Sequence, residues 1–192
     1  MSTSSGPLQQ LTRDGFAFTH ACPEISHELL MEAEDELDWL RFNTAPGWLG
    51  NFGLLCFGQG YDRGRRLPPA CRRAAILLRD QVWDLYGCDE APPPNAAFLQ
   101  RYTPGFTVKR HVDPKSNLGI TAILSLGDFH PLPTVRVWTP SSSSPKELNP
   151  GRGDVVVLPC YTSHGPGPAH SVEGHFLQQG TRYALILNHV QL

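Results

Sequence analysis

From Ile25 to Leu40, apolar residues recur at spacings of three and four through Leu29, Leu30, Ala33 and Leu37, while Glu28, Glu32, Glu34, Asp35 and Glu36 fall on the opposite side. This period predicts an amphipathic helix over roughly Ser26 to Phe42. A second helical pattern runs through Ala74, Leu77, Leu78, Val82, Trp83 and Leu85, with Pro68 and Pro69 suited to its first turn and Gly87 to its end. After the breaker Ala91-Pro92-Pro93-Pro94-Asn95 the period changes from helical to two. Runs rich in β-branched residues, bounded by turn residues, predict strands at Phe98 to Tyr102, Val108 to Val112, Gly119 to Leu126, Thr134 to Trp138, Asp154 to Leu158, Ala169 to Val172 and Arg182 to Asn188.

The earlier part of the chain is less regular. Met1 to Pro7 is small and polar, and residues 1–15 are expected to be a loose terminus. Phe16 and Phe18 flank a short extended segment, and Thr44 to Gly60, rich in Gly, Pro and aromatics, reads as loops with one or two short strands. Two helices followed by seven or eight short strands predict an α+β fold, a sandwich or jelly-roll with helices buttressing one sheet. One domain suffices for 192 residues. Within it, residues 16–95 are expected to form the helical support and residues 96–192 the jelly-roll core.

Composition narrows the class. A formal net charge of -2 argues against a general polycation for nucleic acid, although Arg63, Arg65, Arg66, Arg72 and Arg73 make a local basic cluster. That cluster is either a solvated helix start or a rim that contacts phosphates, with Arg65, Arg66 and Arg73 as the candidates. Cys22, Cys56, Cys71, Cys88 and Cys160 are scattered and form no CxxC pair, so reduced thiols in a cytoplasmic or nuclear setting are expected. The start of the chain shows no apolar signal region, and no run approaches the ~18 apolar residues of a membrane helix. Ser141 to Ser144 reads as an exposed turn without chemistry.

The chemistry centres on His111-Val112-Asp113. Alternate residues of an extended chain share a side, so an imidazole and a carboxylate can meet one metal ion while Val112 points away. A third ligand would come from His164 or His170. Two histidines and one carboxylate on one face of an ion leave the other face open, as in non-heme Fe(II) oxygenases. The same donor types also suit zinc. An oxygenase that uses 2-oxoglutarate needs a cation for the distal carboxylate. Arg182, which opens the apolar run RYALILN, is the candidate, with Tyr102 as a hydrogen-bonding companion.

The run PNAAFLQRYTPGFTVKRHVDPKSNLGITAILSLGD, from Pro94 to Asp128, resembles the AlkB-type branch of the Fe(II)/2-oxoglutarate-dependent dioxygenases. GRGDVVVLP, HSVEG and GTRYALIL resemble the distal-histidine and arginine strands of the same superfamily, in AlkB-type and prolyl-hydroxylase-type members, and GQGYDRGRRLPPA resembles its substrate-lid region. The resemblance covers about half the chain. It implies a double-stranded β-helix (jelly-roll) core, Fe(II) held by His111, Asp113 and a distal histidine, and 2-oxoglutarate held by Tyr102 and Arg182. His170, 12 positions before Arg182, has the hydroxylase-type spacing; His164, 18 before it, is nearer the AlkB-type spacing. His170 is favoured because a ligand on a strand is better fixed than one among Gly165, Pro166, Gly167 and Pro168. Six residues after Arg182, where the AlkB branch places a second arginine for the co-substrate, this chain has Asn188.

The expected activity is therefore AlkB-like oxidative demethylation of N-alkylated DNA or RNA bases, with 2-oxoglutarate and O2 consumed. Two alternatives are a hydroxylase or demethylase acting on a protein side chain or small metabolite, and a non-catalytic jelly-roll binding module.

Overall fold

The computed structural model describes residues 7–21, 40–41, 48–49, 52–58, 69–86, 94–102, 106–139, 142–162, 165–174, 179–180 and 182–190. Among these the chain forms α1 (Pro7–Asp14), β1 (Ala17–His20), β2 (Leu40–Arg41), β3 (Trp48–Leu49), β4 (Phe52–Gly58), α2 (Pro69–Tyr86), β5 (Ala96–Tyr102), β6 (Phe106–His111), β7 (Asn117–Leu126) and β8 (Phe129–His130). There follow β9 (Thr134–Trp138), β10 (Lys146–Leu148), β11 (Asp154–Pro159), β12 (Ala169–Gly174), β13 (Gln179–Gly180) and β14 (Arg182–Val190).

Two antiparallel sheets face each other. The larger has the order β1-β11-β7-β14-β5-β4-β2 and the smaller β10-β9-β12-β6-β3, with a separate β8-β13 pair. Period two explains the layering. On the larger sheet Ala97, Leu99, Ile120, Ala122, Leu124, Val155, Val157, Leu185 and Leu187 point to one face, where Leu11 of α1 and Ala74, Ala75, Leu78 and Val82 of α2 cover them. The alternate residues Tyr102, Ile123, Val156, Leu158, Ala184 and Ile186 point inward, where they meet Val108, Val135, Val137 and Val172 of the smaller sheet. The large sheet is therefore buried on both faces, and its inner face also carries the polar side chains of Gln100, Thr121, Ser125, Arg182 and Asn188. This is the jelly-roll expected from the strand pattern.

Several expectations are corrected. Pro7–Asp14, placed by sequence in a loose terminus, is a helix that buries Leu11. It stops at Gly15, which has φ 82° and donates its N–H to the Leu11 carbonyl at 2.8 Å, a left-handed cap. The helix expected over Ser26 to Phe42 does not reach Phe42, because Leu40 and Arg41 pair with Leu54 and Gly53 of β4 at the sheet edge; residues 26–39 lie outside the described residues. Residues 16–95 are more than helical support, since β1, β2 and β4 extend the larger sheet and β3 the smaller. α2 keeps its expected place, although Leu77 and Leu85 of its apolar pattern are exposed. No described helix is long and apolar enough to cross a membrane.

Candidate functional site

β6 carries a bulge. Val108 pairs with Val172 and His111 with His170, so three residue steps on β6 match two on β12. Val108 already points into the core between the sheets. Three residues on, His111 would point outward in a regular strand; the extra residue turns it inward. There it meets His170, with ring centroids 4.3 Å apart. Asp113 follows just beyond β6, while Val112 between the two is exposed.

The three side chains converge. Asp113 Oδ1 lies 4.0 Å from His111 Nε2 and 3.9 Å from His170 Nε2, and the potential ligand atoms all fall within 4.8 Å of one another. The tautomers follow from what the other ring nitrogens face. His111 Nδ1 is 2.9 Å from the Lys109 carbonyl and His170 Nδ1 is 3.2 Å from the Pro168 carbonyl. A carbonyl only accepts, so each Nδ1 carries the proton and each Nε2 offers a lone pair. Burial holds His170 below the ordinary imidazole value; Asp113 opposes this and His111 adds to it. Neutral imidazole is the form that binds metal.

The second oxygen of Asp113 is also engaged. Thr121 Oγ1 and Cys160 Sγ each donate to Oδ2 at 3.2 Å. Burial, and then Asp113, push the Cys160 thiol well above its ordinary value, so it stays protonated. The approach of β12 to the site is tight, because a β-carbon at Gly167 would overlap the Pro159 carbonyl oxygen.

Arg182 opens β14 and points to the inner side. It is 1% exposed, its Nη2 donates to Ser125 Oγ at 2.9 Å, and its Nε has no partner. The Tyr102 ring lies 4.9 Å from the guanidinium carbon, and the Tyr102 hydroxyl donates to Gln100 Oε1. Burial pulls the guanidinium down and pushes the phenol up. No carboxylate among the described residues pairs with Arg182, and a buried guanidinium in that state calls for an anion. Inner-face residues of β7 connect the two half-sites: Thr121 touches Asp113, and Ser125, about 13 Å further along the strand, touches Arg182. Asn188, six residues beyond Arg182 on the same face of β14, is buried with its Oδ1 unpartnered.

The arrangement fits the groups that the sequence resemblance implies. Two imidazole nitrogens and one carboxylate oxygen suit Fe(II), and the guanidinium, buried without an anion and with Nε unpartnered, suits a carboxylate. Of the residues singled out in the sequence, His111, Asp113 and His170 lie together, and Tyr102 lies beside Arg182. His164, Arg65 and Arg66 lie outside the described residues. Arg73 is exposed on α2, which packs on the outer face of the large sheet, a layer away from the cluster. Arg110, beside the first ligand, lies over the Trp138 ring at 4.4 Å. Sequence reasoning missed Gln100, Thr121, Ser125 and Cys160. Thr121 and Ser125 did leave a signal, as two hydroxyls four apart on one face of an apolar strand; Cys160 left none.

No family model and no curated protein matches the sequence. Solved structures do match. The chain is similar to a prolyl-4-hydroxylase from Pseudomonas putida, with a TM-score of 0.69 and 14% identity over 96% of this chain and 99% of that one. It is also similar to an oxidoreductase of the 2OG-Fe(II) oxygenase family from Burkholderia pseudomallei, with a TM-score of 0.68 and 16% identity over 95% of this chain and 88% of that one. The structure of OsALKBH1 matches with a TM-score of 0.51 and 15% identity over 91% of this chain and 98% of that one. At these identities the shared property is the fold.

Proposed function

We propose that the protein is an Fe(II)- and 2-oxoglutarate-dependent oxygenase. One observation carries the reading: two lone-pair-bearing imidazoles and a carboxylate meet on the smaller-sheet side of the interior, and the facing larger sheet holds a buried arginine without an anion. His111, Asp113 and His170 would hold the metal. Bound iron, with 2-oxoglutarate and O2, supplies the oxidation of a C–H bond.

The protein's own residues bind and orient. Lys109 and Pro168 carbonyls hold both imidazoles in the metal-binding tautomer. Arg182 would receive the distal carboxylate of 2-oxoglutarate, with Ser125 fixing the fork and Tyr102 closing the pocket beside it. Asn188 stands in place of a second arginine and offers an uncharged, buried amide on the same face of β14. Walls of Ile123, Val156, Leu158 and Ala184 keep water from the inner face.

The AlkB-type motifs from Pro94 to Asp128 support demethylation of N-alkylated bases in DNA or RNA. A second reading, oxidation of a protein side chain, is favoured by the near full-length match to a prolyl-4-hydroxylase and by Asn188. Succinate release from 2-oxoglutarate, assayed with methylated single-stranded oligonucleotides and with proline-containing peptides, tests both. Stimulation by methylated strands alone selects the base, and stimulation by peptides alone selects the side chain. If neither stimulates release and the protein binds no Fe(II), the oxygenase reading falls.

A further inference from the structure

We propose that Thr121 and Cys160 are positioning residues that pin one oxygen of Asp113 and so commit the other to the metal. The proposal rests on reading His111, Asp113 and His170 as a metal site. Thr121 Oγ1 and Cys160 Sγ stand 3.2 Å from the same oxygen, Oδ2, and 2.8 Å from each other. An ionised carboxylate only accepts, so the hydroxyl and the thiol supply the protons of this triangle.

Its corners come from three places: the segment after β6, the inner face of β7 and the residue that follows β11. Thr121 is 3% exposed and Cys160 1%, so both donors are held out of water behind Asp113. Oδ1 is left facing both imidazoles. With Oδ2 held from behind, the carboxylate cannot close both oxygens on one ion, which keeps positions free for other ligands. Cys160 serves as a donor to the ligand and stands outside the three-residue ligand cluster itself.

Equilibrium binding of Mn(II) to the full chain, read by the electron paramagnetic resonance of the free ion, tests this without turnover. Thr121→Val removes one donor at nearly constant volume and Cys160→Ala removes the other together with its sulfur; each is expected to weaken Mn(II) binding about 10- to 100-fold, the range for partners that orient a metal ligand. Cys160→Ser and Thr121→Ser keep a donor and are expected to stay within about threefold of wild type. A folded Thr121→Val or Cys160→Ala protein, by circular dichroism, with wild-type Mn(II) affinity overturns the proposal. Should neither fold, the serine variants decide: a loss of about tenfold or more in both overturns it, and retained affinity supports it. If the wild-type protein itself takes up no Mn(II) or Fe(II), the metal site falls, and this proposal with it. That failure is distinct from one in which wild type binds and the donors prove indifferent.

Discussion

His111 and His170 are register partners in the β6-β12 ladder, and their rings lie 4.3 Å apart at an angle of 57°. Each ring donates through Nδ1 to a carbonyl two residues earlier in its own chain segment. Backbone pairing, rather than side-chain reach, thus sets the separation of the two nitrogens. A ligand pair built in this way is formed before any ion arrives.

The third ligand can be decided by substitution. His170→Ala is expected to weaken Fe(II) binding by more than about 100-fold, beyond the usual range for partners that merely orient a ligand. His164→Ala should leave it within about threefold. An anaerobic titration with Fe(II) and 2-oxoglutarate, followed by visible charge-transfer absorption, reads both. Equal losses would mean that His170 does not complete the site by itself.

Arg182→Met separates stability from binding. The native guanidinium is buried without an anion, so an apolar side chain of similar length should leave the ligand-free protein as stable or more stable. Affinity for 2-oxoglutarate should fall roughly 10- to 100-fold, the value of a charged hydrogen bond. Thermal melts and 2-oxoglutarate titrations check the two halves. A destabilised variant with unchanged affinity would assign Arg182 to the fold alone.

Gly167→Ala tests the approach to His170. The new β-carbon overlaps the Pro159 carbonyl oxygen, so β11 and the chain entering β12 must separate. A cost of about 1–3 kcal/mol is expected in chemical denaturation, together with weaker metal binding as His170 moves.

Acid should destabilise the metal-free protein. Burial keeps His170 below its ordinary value of 6.5, so between that value and the folded one the unfolded chain binds more protons. Stability then rises with pH through this window: it is complete above 6.5 and lost as pH falls through the folded value. Melting temperatures of the metal-free protein over roughly pH 5 to 8 should show this slope, and His170→Gln should flatten it. Unchanged slopes in the two proteins would mean that other groups set the acid limit.

Much of the fold was legible in the sequence because alternation is local. In Gly119 to Leu126, Asp154 to Leu158 and Arg182 to Asn188, residue identity announces both the strand and its two buried faces, and β7, β11 and β14 contain those runs. The His-x-Asp triplet and a lone arginine in an apolar strand were legible for the same reason: each is a chemical oddity within a few residues. What tertiary structure decided depends on pairing between distant segments. It placed Leu40 and Arg41 at a sheet edge instead of in a helix, and docked Leu11 of the expected tail into the core.

Around the site, only register could show that an extra residue in β6 turns His111 toward His170. Thr121 and Cys160, 39 positions apart, meet behind Asp113 because β7 and β11 are neighbours. Sequence specifies which groups a strand offers to each face; which offers meet is set by sheet order and register, properties that no short stretch of chain contains.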